Sequence, residues 1–175
     1  RFKPDVVAAS ALTPSVGYVN QFFRSVKRLN PEILTVTGGV HAYFLPESFQ
    51  TGFTDIIVRG EGDFIFKALL EKLERVPDRG DIALALADTA GISYRNNGGY
   101  ITSALAEPTR DLDTIPFPNR QVIEKYRPKY RWFSSEELTC IETSRGCVNN
   151  CSFCCSSRLY GGGFRQKSAD SNTAG

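Results

Sequence analysis

Residues 33–62 read ILTVTGGVHAYFLPESFQTGFTDIIVRGEG, and the order of chemistry within them decides the fold class. Ile33 to Thr37 is a short β-branched run that Gly38-Gly39 ends abruptly, the pattern of a buried strand. Pro46 to Gln50 suggests a short helix. Thr54 to Arg59 then has strand character again and is closed by Gly60-Glu61-Gly62. Upstream, Asp5 to Ser10 is another run of strand length, followed by LTPSVGYVNQFFRSVKRLNP at 12–31. In that stretch Val16, Val19, Phe22, Phe23, Val26 and Leu29 recur at helical steps until Asn30-Pro31 stops them. Downstream, Asp63 is placed to cap a helix whose apolar face is Phe64, Phe66, Ala68, Leu69, Leu70 and Leu73. Strand, helix, strand, short helix, strand, helix predicts an α/β fold with a parallel sheet covered on both faces.

Beyond Pro77 the pattern changes. Residues 91–95 and 100–102 flank Asn96-Asn97-Gly98-Gly99, which predicts a hairpin. EPTRDLDTIPFPNR at 107–120 reads as an extended linker that Pro108, Pro116 and Pro118 keep from being helical. Leu138 to Thr143 predicts a strand running into a cysteine-rich loop. The expected organisation is a first domain over 1–104 that includes the hairpin, a linker over 105–132, and the start of a second domain over 133–175.

Two sets of residues carry the chemistry. In an open parallel sheet, ligands sit beyond the carboxyl ends of the strands. Three corners fit that place: Ser10 to Thr13, Gly38-Gly39-Val40-His41, and Gly60-Glu61-Gly62. Glycines there let a backbone pass close to a bulky flat ligand. The candidate ligand-binding residues are therefore Ser10, Thr13, Gly38, Gly39, His41, Gly60, Glu61 and Gly62. His41 is the single histidine, and a satisfied loop histidine competes with a ligand role for it. The second set is Cys147, Cys151 and Cys154, at C-x3-C-x2-C spacing. Three thiolates so close can face one point if the backbone wraps a compact object, and soft thiolates suit the iron of a 4Fe–4S cluster. Three ligands leave one iron open to chelate another molecule. A zinc site with Cys155 or His41 as fourth ligand is the alternative, although a second paired motif is missing. Cys140 reads as a core residue of the strand, and Cys155 as packed or solvent-facing.

The cysteine spacing, with Phe153 directly before the third cysteine and Thr143-Ser144-Arg145-Gly146 ahead of the first, resembles the radical S-adenosylmethionine superfamily. The stretch Tyr160-Gly161-Gly162-Gly163-Phe164-Arg165 resembles the segment after that loop in cobalamin-dependent members. DVV, VTGGVHA and DIIVRGEG followed by a helix resemble the cobalamin-binding domain fused ahead of many such enzymes, over about residues 4–74. DLDTIPFPNR at 111–120 looks like their interdomain segment. The resemblance implies a doubly wound, Rossmann-like cobalamin-binding domain followed by the start of a partial β/α barrel. It implies a 4Fe–4S cluster on Cys147, Cys151 and Cys154, with S-adenosylmethionine on the open iron and Phe153 beside its adenine. Cleavage to a 5′-deoxyadenosyl radical, for methyl transfer to an unactivated centre, is the implied activity. Radical cyclisation or rearrangement is the alternative within the same cofactor set. An electron donor such as flavodoxin or ferredoxin and a small-molecule substrate are the implied partners. The histidine motif D-x-H-x-x-G of cobalamin proteins is absent, so the resemblance leaves open how the cobalt is bound.

Composition excludes other classes. The 175 residues are 41% hydrophobic and 23% charged, with a net charge of +2. That balance gives no basis for inferring a nucleic-acid surface. No apolar run reaches the roughly 18 residues a membrane helix needs. No secretory leader is recognisable, and clustered thiols point to a reducing, cytoplasmic setting. The lack of any Met and the small polar stretch at 168–175 predict a piece of a longer protein, inactive without the remainder. A binding module with a zinc-stabilised tail is the reading from a different class.

Overall fold

Three short β-branched runs seed the sheet. In the computed structural model, which describes residues 3–76, 79–131 and 139–170, they are β1 (Val6–Ser10), β2 (Leu34–Gly38) and β3 (Ile56–Val58). β1 pairs with β2 and β2 with β3, both parallel, with Ser10 opposite Gly38 and Val36 opposite Ile56. Between them lie α1 (Val16–Leu29) and α2 (Val40–Phe44), the latter continued by a 3₁₀ turn at Pro46–Phe49. After β3 comes α3 (Gly62–Glu74), then the short α4 (Ile82–Leu86). The chain divides into two units, Arg1–Pro108 and Thr109–Gly175.

Strand alternation sorts the first unit into two apolar layers. On one face Val36, Ile56 and Val58 pack with Ile65 and Leu69 of α3 and Leu86 of α4. On the other, Ile57 packs with Val19 and Phe23 of α1, Ala42 of α2 and Phe49. The fold is thus the mixed α/β, Rossmann-like class expected from the sequence, with its parallel core covered on both faces. Helical spacing overstated two of the faces. Phe22 and Leu29 of α1 and Phe64 of α3 are exposed, while Ile65 is buried beside Leu69.

The hairpin does not stand apart. β4 (Ile92–Asn96) pairs antiparallel with β3, and β5 (Gly99–Thr102) pairs with β4, extending the sheet to five strands. Its turn uses Asn97 at φ 47° and Gly98 at φ 83°, the mirror-image geometry that matches strand twist. Buried charge locks the hairpin to the parallel core at the amino ends of the strands. The Asp55 carboxylate accepts hydrogen bonds from Thr35 N at 2.8 Å and Thr35 Oγ1 at 3.0 Å. It also pairs with Lys27 of α1 and with Arg95 of β4, the latter at 2.8 Å.

The second unit is sparser. β6 (Ser144–Gly146) pairs antiparallel with β7 (Phe164–Gln166), and α5 (Ser156–Leu159) lies in the loop between them. Residues 139–143 are not a strand, and Cys140 is exposed rather than core. Strand character is realised only where a partner chain runs alongside, and here that is β7. Leu138 and residues 171–175 lie outside the described residues. Pro-rich 109–131 is not fully extended: Leu112–Thr114 and Arg120–Lys129 are 3₁₀, capped by the side chains of Asp111 and Asn119. Among the described residues, no helix is long and apolar enough to cross a membrane.

Candidate functional site

The carboxyl ends of β1, β2 and β3 are built from the smallest residues of the chain. Ala8, Ser10, Gly38, Gly39, Gly60 and Gly62 line a cavity of about 520 Å³ there, a size ordinary for a small-molecule site. Ser10, Gly38, Gly39, Gly60 and Gly62 were singled out from the sequence. Ala8, Asp63 and Phe66 also line the cavity and were not. Ala8 carries a usable signal, because it is two residues before Ser10 and so shares its face of β1. Asp63, read as a cap, stands on the cavity wall in the first turn of α3.

The glycines differ in why they are glycine. Gly39 has φ +92°, and a Cβ there would lie 2.5 Å from Ser10 Oγ and 2.9 Å from both the N and O of Ala11. No side chain fits without parting the first two corners. Gly38 would meet only Val58 at ordinary contact distance, and Gly62 would meet nothing. Those two leave open room above the strands. Gly62 also begins α3, so first-turn N–H groups lie beside the opening and can donate to a ligand's amide or phosphate oxygens.

Thr13, His41 and Glu61 stand outside the cavity lining. His41 is 7% exposed and spends both ring nitrogens locally. Nδ1 is 3.0 Å from Thr13 Oγ1, Nε2 is 3.1 Å from Ser48 Oγ, and the ring meets Phe49 edge-on. Its backbone N–H donates to Ala11 O at 3.1 Å. Thr13 and His41 thus hold the first two corners together. Binding a metal through either nitrogen would break one of these hydrogen bonds. Glu61 is the residue before α3, in extended conformation.

The cysteine loop hangs from a narrow neck. β6 leads directly into Cys147, whose Sγ accepts a hydrogen bond from Asn149 N at 3.4 Å, and Cys154 N donates to Cys151 O at 3.1 Å. All five cysteines are free thiols, with Cys147 half-buried and Cys151, Cys154 and Cys155 exposed. Phe153 is 91% exposed. Arg145 is buried and grips Glu142 through Nε at 3.0 Å and Nη2 at 2.7 Å. Its charge is therefore already paired with a carboxylate. In donor chemistry the loop suits an iron–sulfur cluster: three soft thiols, one already accepting a backbone N–H. Among the described residues, however, no group of three Cys, His, Asp or Glu side chains converges closely enough to hold a metal ion.

A family model described as the B12 binding domain matches residues 1–70. An uncharacterised methyltransferase of Pyrococcus horikoshii is 30% identical over 97% of this chain and 35% of its own length. An anaerobic magnesium-protoporphyrin IX monomethyl ester cyclase of Rubrivivax gelatinosus is 33% identical, covering 87% of this chain and 27% of its own length. The cobalamin-dependent radical SAM methyltransferase TokK of Streptomyces tokunonensis is 28% identical over 87% of this chain and 22% of its own. The chain therefore spans about a third or less of the length of these relatives.

Proposed function

We propose that the chain belongs to the cobalamin-binding radical S-adenosylmethionine family and that the whole protein is a cobalamin-dependent methyltransferase acting on an unactivated centre. The observation that carries the reading is the small-residue cavity at the ends of β1, β2 and β3. Ala8, Gly38 and Gly62 keep its floor low enough for a flat macrocycle, and Gly39 holds the first two corners in contact beneath it. Ser10 Oγ and the first-turn N–H groups of α3 offer polar partners for the amide groups that rim a corrin. Because His41 is engaged by Thr13 and Ser48, it is not assigned as a ligand of the cobalt.

In the second unit, Cys147, Cys151 and Cys154 are assigned as the three thiolate ligands of a 4Fe–4S cluster. Phe153, exposed beside the third thiol, is assigned as an apolar platform for the adenine of S-adenosylmethionine. When bound, these groups supply radical chemistry and a transferable methyl group. An electron donor such as flavodoxin or ferredoxin, a small-molecule substrate and a reducing cytoplasmic setting complete the proposal. Ring formation is the second reading, favoured by the similarity to a protein named as a cyclase.

The test is to add cobalamin to the full-length protein, then reconstitute it anaerobically with iron and sulfide. Expected are a corrin absorbance shift and a reduced 4Fe–4S resonance that changes on adding S-adenosylmethionine. No corrin uptake, or zinc retained in place of iron, would sink the reading.

A further inference from the structure

A three-residue pair of strands is marginal by itself, yet β6 and β7 close the entire loop that carries the cysteines. Two features tighten the neck from within. Gly146, at φ +88°, lies so close under the Gly163 carbonyl that a Cβ would collide with it. Lys167 N donates to Thr143 O at 2.9 Å, extending the pairing by one step.

The remaining support comes from residues 109–117 of the same unit. Both Asp113 carboxylate oxygens accept from Ser168 N, at 3.0 and 3.3 Å. Lys167 Nζ donates to Ile115 O at 3.4 Å and lies 5.1 Å from the centre of the Phe117 ring. Arg165 of β7 donates to Thr109 O. Among the described residues, the buried side chains of this unit are Leu112, Ile115 and Arg145: two from this segment and one from the neck. The segment that reads as linker therefore supplies two of these buried side chains and hydrogen-bond acceptors for the hairpin.

We propose that residues 109–117 are a strap that fixes the neck of the cysteine loop, with Asp113 the positioning residue that sets how readily the three thiols take a metal cluster. The physical reason is preorganisation. A loop whose ends are held loses less freedom when its side chains close on a ligand. Asp113 is linked through Ser168 to the segment that follows β7, and its role is to position the thiols rather than to ligate. The inference rests on the assignment of Cys147, Cys151 and Cys154 as ligands.

The experiment compares the full-length protein with Asp113→Ala and Asp113→Asn, which keeps one acceptor oxygen. Hydrogen exchange of the metal-free protein is read at 143–146 and 164–168, and iron and sulfide are then counted after reconstitution. For Asp113→Ala, loss of a charge-assisted hydrogen bond should speed exchange at the neck about tenfold. Iron uptake at limiting sulfide should fall by about threefold through the same loss of preorganisation, with cobalamin binding unchanged. Asp113→Asn should recover both. Wild-type exchange in Asp113→Ala, or no recovery in Asp113→Asn, overturns the strap. If Asp113→Ala does not fold, Lys167→Ala removes the contacts to Ile115 and Phe117 and carries the same expectation. A wild-type protein that takes up no iron overturns the cluster assignment, and the exchange comparison alone then decides the strap.

Discussion

The glycine crevice and the cysteine loop are both candidate cofactor sites, but they are held in opposite ways. The crevice is a by-product of a packed sheet. Its walls are the ends of strands whose middles are buried on two faces, so its shape exists before any ligand arrives. The unit that carries the cysteine loop has three buried side chains among the described residues, and its thiols stand apart. One site is specified by sterics, the other by the identity and spacing of its donors. Apolar packing can preform a cavity, whereas clustered thiolates repel one another until a metal draws them in.

The comparison can be broken most directly at Asp55. Asp55→Ala leaves Thr35 N buried without its acceptor and strips the counter-charge from Lys27 and Arg95, which keep carbonyl acceptors on Pro31 and Ile33 and on Gly52. Stability of the first unit should fall by about 3 kcal/mol, read by urea denaturation. A change near zero would mean that the hairpin is not locked to the parallel core by this charge. Gly39→Ala comes next. Its Cβ meets Ser10 and the Ala11 backbone at positive φ, so a cost of about 2 kcal/mol and loss of corrin binding are expected. Retained affinity with retained stability would show the crevice to be softer than its geometry.

The smallest effect is a pH dependence. Burial holds the Tyr100 phenol above its ordinary pKa, and its hydroxyl donates to Thr54 O at 2.5 Å. Because the folded-state pKa is the higher one, the stabilisation is complete below pH 10 and fades as pH rises through the folded value. Tyr100→Phe should flatten that alkaline limb of stability. An unchanged alkaline limb would mean that Tyr100 ionises as freely folded as unfolded.

Much of this was written locally. Short apolar runs announced β1, β2 and β3, glycine ended the second and third, and glycine at those ends marked four of the cavity-lining residues. Asn97-Gly98 announced a hairpin because that pair tolerates the left-handed region. The cysteine spacing announced a ligand set because few other uses place three thiols so close. Each of these signals lies within a few residues of chain.

What only the tertiary structure decided involves partners far apart in the chain. That β4 pairs with β3 follows from Asp55, Thr35, Lys27 and Arg95 meeting across 68 residues, between Lys27 and Arg95. Phe66 reaches the crevice because α3 folds back over the sheet, and His41 is occupied because Ser48 returns to it. Residues 109–117 looked like a tether because proline and aspartate forbid regular structure, but their role depends on which strand they meet. Propensity and spacing are properties of adjacent residues and survive in the bare sequence. Pairing, burial and strapping are relations between distant ones, and they exist only once the chain has folded.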